Sequence, residues 1–228
     1  MTDLDFRSFP QKQFILLGEM HGARENIEIL KMFIEWATQL EEPLILGLEW
    51  PEQLTEEINN YLLGASSLGW SSWEFIKHKD GRISQEHIAF LGWLKNFNSR
   101  LDLAKKITIQ CFDVEAERWN DRDKSMADVL LKRKNNKVRT IAIMGNFHAR
   151  KEKFFLDEEE YIPLGSYLPA TDTVAIKLDY LSGAFFNKSQ KEFVSRENGD
   201  AKLLEESRES GYDFILSIPR AHPTSLLK

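Results

Sequence analysis

Six short apolar runs divide the chain: QFILLG (13–18), PLILGLEW (43–50), KITIQCFD (106–113), VRTIAIMG (138–145), DTVAIKLDY (172–180) and YDFILSI (212–218). Runs of this length, rich in β-branched and aromatic residues, read as strands. Between them apolar residues recur every three or four positions. After the first run, Ile27, Leu30, Ile34 and Ala37 form a stripe widened by Ile29, Phe33, Trp36 and Leu40. That period predicts an amphipathic helix ending before Pro43. The same reasoning predicts helices near 52–63, 84–98 and 121–134, the last with Asn120 or Asp121 placed to cap its free N–H groups. Strands alternating with helices predict an α/β fold with a mostly parallel central sheet flanked by helices. Residues 62–82 (LLGASSLGWSSWEFIKHKDGR) and 182–211 (SGAFFNKSQKEFVSRENGDAKLLEESRESG) show neither period and are expected to be irregular, as pocket-walling loops often are.

Length and composition narrow the class. A chain of 228 residues predicts one domain spanning 1–228. No apolar run approaches the roughly 20 residues that span a bilayer. The N-terminus MTDLDFRSFPQKQ lacks the basic flank and apolar stretch of a signal peptide, so the expected location is cytoplasmic, with no membrane partner. The lone cysteine, Cys111, excludes an internal disulfide and reads as a packed thiol in an apolar run. Thirty Lys and Arg against 36 Asp and Glu leave a formal charge of −6, the wrong sign for a generic nucleic-acid binder. A small-molecule or peptide substrate is the expected partner.

The chemistry gathers where the strands end. In open α/β sheets ligands bind beyond the carboxyl ends of the strands, and the first four runs end in Glu19 and His21, in Glu49, in Asp113, and in Asn146 and His148. Both histidines sit in the same Gly-x-x-His pattern, Gly18–His21 and Gly145–His148, where glycine is expected to allow a sharp exit from the strand. Glu49 is out of place in its apolar run unless it meets a partner. Asp113 either turns the chain or orients a histidine. Arg122, at the start of a helix facing the same ends, is suited to hold a carboxylate or a developing oxyanion. His78, His87 and His222 are expected on the surface. Trp50, Trp70 and Trp73 can wall a pocket near Glu49, although packing under a long loop is the commoner role of such residues.

In their order along the chain, the paired Gly-x-x-His motifs, the glutamate in LGLEWPEQLTEEINNYLLG, the RDKSMA helix start at Arg122–Ala127 and the final YDFILSIP strand resemble the erythromycin esterase/ChaN/TIKI superfamily, from about residue 13 to 218. The resemblance implies an EreA/ChaN-like fold with His21, Glu49 and His148 lining the site, Glu19 beside His21 and Arg122 at the rim. The spacing of Glu19 and His21 matches the ChaN and TIKI form of the turn.

Two functions follow as expectations. The first is a hydrolase, of esterase or metal-dependent peptidase type. In a metal form His21 and His148 with Glu19 or Glu49 hold a divalent ion such as zinc, manganese or cobalt. In a metal-free form one histidine takes a proton from water and Arg122 stabilises the oxyanion. The alternative, implied by the ChaN resemblance alone, is a haem- or iron-binding protein with Tyr61, Tyr161 or Tyr167 available as an axial ligand.

Overall fold

The computed structural model describes residues 9–227 except 41, 66, 133–137, 157, 197–202, 208 and 210. The chain runs β1 (Phe14–Glu19), α1 (Glu25–Ala37), β2 (Leu44–Pro51), α2 (Thr55–Leu62), α3 (Gln85–Asn98), β3 (Thr108–Asp113), α4 (Trp119–Lys132), β4 (Arg139–Gly145) and the single turn α5 (Asn146–Ala149). It continues through β5 (Phe154–Leu156), β6 (Glu159–Tyr161), α6 (Leu164–Tyr167), β7 (Thr173–Tyr180), β8 (Ala184–Asn187), β9 (Ser189–Glu192), β10 (Leu203–Glu206) and β11 (Phe214–Ile218). All six predicted strands are present.

Seven strands form one sheet in the order β10-β11-β7-β1-β4-β2-β3, parallel throughout except for β10, which pairs antiparallel with β11. Alternation along β1 explains how the sheet is covered. Ile15 and Leu17 face a core shared with α1, α2 and α3, while Phe14 and Leu16 face a second core with α4, α5 and α6. Both faces are dry, which is why these strands read as continuous apolar runs. The neighbours β1 and β4 send their chains in opposite directions, β1 toward β2 and β4 toward β7. Such a divergence opens a crevice at the strand ends, and both Gly-x-x-His turns lie there.

Several expectations need correction. Asn120 and Asp121 fall inside the first turn of α4 and do not cap it. Asn120 instead clamps the β6 end, donating to the Glu160 carbonyl at 3.0 Å and accepting from Ile162 N–H at 2.8 Å. Residues 182–211 are not irregular throughout: they carry the β8–β9 hairpin and edge strand β10. The rest of that stretch lies partly outside the described residues. Beyond the end of α2, the described residues of 62–82 do lack long elements and hold short 3-10 turns at Trp70–Ser72 and Glu74–His78. Among the described residues, no helix is long and apolar enough to cross a membrane.

Candidate active site

A cavity of about 1280 Å³ opens beyond the strand ends, with His21, Glu49, Arg82, Asp113, Arg122 and His148 on its floor and Trp73 and Phe75 on its wall. Glu49, 5% exposed, is its centre. One carboxylate oxygen accepts the Gly145 N–H at 2.7 Å and lies 3.7 Å from His21 Nε2. The other accepts from Arg122 Nη2 at 3.0 Å and lies 3.7 Å from His148 Nε2. Burial alone would raise the pKa of this carboxyl, but His148 when protonated, His21, Arg122 and Arg82 hold it well below the usual range.

Each histidine has its own carboxylate. His21 Nδ1 bonds Glu19 Oε1, two residues back in the same turn. Burial would lower the pKa of this imidazole, yet Glu19 and Glu49 overcome burial and raise it to about 9. His21 is therefore an imidazolium at neutral pH. His148 Nδ1 pairs at 2.8 Å with Asp123, a residue of α4 with 0% exposure. Both Asp123 oxygens are fixed, one by the Leu164 N–H at 2.7 Å and the other by the Tyr161 hydroxyl at 2.8 Å. Arg122 Nη1 lies 3.1 Å from His148 Nε2. A guanidinium only donates, so Nε2 holds its lone pair toward Arg122 and the ring proton lies on Nδ1 toward Asp123.

Two arginines complete the floor. Arg122 Nε donates to Asp113 at 2.9 Å, and Arg82 bonds both Asp113 and Asp80. Burial works against their charge, but Glu49 with Asp113 around Arg122, and Asp80 with Glu49 around Arg82, raise both pKa values. Both guanidinium charges persist at any working pH. Asp113 thus anchors arginines and contacts neither histidine. The glycines also act differently from expectation. Neither Gly18 nor Gly145 is left-handed, and Gly145 has φ −52°. Gly22, at φ +86°, bends the first turn.

The residues expected to hold a divalent ion, His21, His148, Glu19 and Glu49, form no ligand shell. Among the described residues no three His, Cys, Asp or Glu side chains group as metal ligands. The reason is steric and electrostatic: the Arg122 guanidinium occupies the space between Glu49 and His148 where a bridging cation would sit, and Glu19 turns toward His21 Nδ1 and Asn26. Tyr61, Tyr161 and Tyr167 are absent from the cavity lining, Tyr161 being committed to Asp123, so none of the three stands there as an axial haem ligand.

No family model and no curated protein matches the sequence. Solved structures do match. A succinoglycan biosynthesis protein superposes with a TM-score of 0.73 at 12% identity, covering 95% of this chain and 90% of its own. An erythromycin esterase mutant in its open conformation gives 0.67 at 13% identity, covering 99% and 96%. The chain has the erythromycin esterase fold. A further structure with the same fold, a protein from Bacillus cereus, gives 0.66 at 10% identity, covering 96% and 91%.

On this erythromycin esterase fold, five of the expected site residues, His21, Glu49, Asp113, Arg122 and His148, meet in one cavity, and Glu19 stands behind His21. His222 is exposed, bonded to Glu25, and His78 is exposed at the cavity mouth. His87 is only partly exposed. Its ring packs 5.8 Å from Trp50, its Nδ1 lies 2.8 Å from Ser84 Oγ, and burial lowers its pKa to about 4. Of the tryptophans, Trp73 lines the cavity and packs edge-on against Trp50, whereas Trp70 stands apart from the lining. Cys111 is buried, its thiol pushed up to about 12 by burial. Sequence reading missed Asp123, Arg82, Asn26 and Tyr180. Asp123 did leave a signal: it shares an i, i+3, i+4, i+7 stripe with Met126, Ala127 and Leu130, so a carboxylate stood on an apolar helix face.

Proposed function

We propose that the protein is an ester hydrolase that activates water with its own side chains. The observation that carries this reading is the convergence of two carboxylate-backed imidazoles on Glu49, each Nε2 lying 3.7 Å from it, beside two charged guanidinia. The fold shared with an erythromycin esterase agrees with ester chemistry.

The protonation states assign the roles. His148, with its lone pair on Nε2 and Asp123 behind it, takes a proton from water as the water oxygen attacks the ester carbonyl carbon. Arg122 releases Nε2 and donates to the oxyanion that forms, which Arg82 also faces. On collapse the carbon–oxygen bond to the alcohol breaks, and His21 gives its Nε2 proton to the departing alkoxide. Exchange with solvent in the open cavity then takes the proton from His148 and returns one to His21, while Glu49 stays ionised between the two rings. The products are a carboxylic acid and an alcohol.

A panel of chromogenic esters assayed with wild type, His21→Ala and His148→Ala tests this reading. Turnover lost in both variants, and unchanged in wild type after chelation of divalent metals, is the expected result. Wild-type turnover in both variants, or activity abolished by chelation and restored by zinc, sinks it.

A further inference from the structure

Asn26 lies on the buried face of α1, 2% exposed, on the same side as Leu30, Phe33 and Ala37. A buried amide is costly unless every polar atom finds a partner, and here each does. Nδ2 donates to Glu19 Oε2 and, at 3.0 Å, to the Met20 carbonyl, while Oδ1 accepts the Tyr180 hydroxyl. Tyr180 ends β7, the strand beside β1, and Phe193 stacks on its ring at 4.8 Å with the planes 15° apart. Glu19, two residues before His21, gives its remaining oxygen to His21 Nδ1.

We infer that Asn26 and Tyr180 are positioning residues: they fix the rotation of the Glu19 carboxylate and, through it, the ring orientation of His21 and the hydrogen bond held by its Nδ1 proton. The direction of the bonds supports this. The Asn26 amide both accepts from the phenol and donates to the carboxylate, which neither a carboxylate nor an apolar side chain can do. An aspartate there would offer Glu19 no hydrogen and add a like charge, and a leucine would strand both the phenol and Glu19 Oε2. Among the described residues no equivalent amide serves His148, whose carboxylate is instead fixed by the Leu164 N–H and the Tyr161 hydroxyl. The kinetic part of this inference rests on the hydrolase reading; the structural part does not.

The test therefore begins without substrate. Long-range proton–nitrogen NMR of the full chain, with His21 assigned by loss of its signals in His21→Gln, reports whether Nδ1 carries a hydrogen-bonded, slowly exchanging proton. Wild type should show that proton. Asn26→Asp should lose it, and Tyr180→Phe, which keeps the stacked ring, should broaden it or speed its exchange. If an ester substrate is in hand, Tyr180→Phe should lower kcat about threefold, less than loss of the Glu19 charge, while KM stays within about twofold. Should the Asn26 variants fail to fold, Tyr180→Phe alone decides. An Nδ1 signal in the folded variants identical to wild type overturns the inference. A lost signal on a chain that turns over no ester upholds the brace and leaves only the hydrolase reading to fail.

Discussion

The two Gly-x-x-His turns share their glycine and histidine positions and are opposite in electrostatics. His21 draws its carboxylate from its own turn, faces Glu49 with its other nitrogen, and is held protonated to about pH 9. His148 draws its carboxylate from α4, 25 residues earlier in the chain, and meets a guanidinium at its other nitrogen. A local motif therefore sets where an imidazole stands, while residues from other elements set which way its proton moves. On the proposed mechanism one turn supplies an acid and the other a base, and the two share Glu49.

The strongest way to break this contrast is to remove the carboxylates separately. His148→Ala should lower kcat/KM roughly 10³-fold and Asp123→Asn roughly 10²-fold, because the latter removes the charge that stabilises the imidazolium formed when water is deprotonated. Glu19→Gln should cost only about tenfold, since Glu49 still supports the His21 proton. Steady-state kinetics on the best ester will rank them. A Glu19→Gln loss larger than that of Asp123→Asn inverts the assignment of acid and base.

The pH profile sharpens the same point. With His21 acting as an acid, kcat/KM should hold through neutral pH and fall as pH rises past about 9, where that imidazolium loses its proton. A profile that instead climbs through pH 9 makes His21 the base. Stability follows the same groups. The folded value of about 9 for His21 lies above its ordinary 6.5, so its contribution is complete below pH 6.5 and is lost as pH rises through 9. The loss should be on the order of 3 kcal/mol and absent from His21→Gln. Glu49 acts in the other direction: its pKa is held below 4.5, so its contribution is complete above pH 4.5 and is lost as the solution is acidified. Urea unfolding across the pH range, in wild type and His21→Gln, measures both.

The contrast also shows what a sequence displays. Strands buried on both faces advertise themselves as apolar runs, and α1 by its period, so the layers of the fold could be read directly. Polar residues at the ends of those runs then located His21, Glu49, Asp113 and His148. Asp123 and Asn26 were hidden because they occupy core positions of helices, where a polar residue among apolar ones reads as noise until its partner is known. Arg82 was hidden by lying in a stretch with no period, and β10 because a charged edge strand lacks the apolar signature of a central one. Spatial order β10-β11-β7-β1-β4-β2-β3 depends on long-range pairing that no local pattern carries.

The smallest effect separates the two glycines themselves. A Cβ on Gly18 would meet Ala149 Cβ at 2.9 Å and the Asn146 backbone at 3.1 Å, pressing on the turn that carries His148. Gly18→Ala should therefore cost about 1–3 kcal/mol of stability, as overpacking does. A Cβ on Gly145 would sit at ordinary contact distances, 3.4 Å from His21 Nε2 and 3.5 Å from the His148 ring. Gly145→Ala should change stability by no more than about 0.5 kcal/mol, yet its methyl stands between the two imidazoles and should lower kcat/KM a few fold. Thermal melts paired with ester kinetics will separate the two. If Gly145→Ala leaves turnover untouched, the space between the rings is not where water is activated, and the shared site on Glu49 loses its main support.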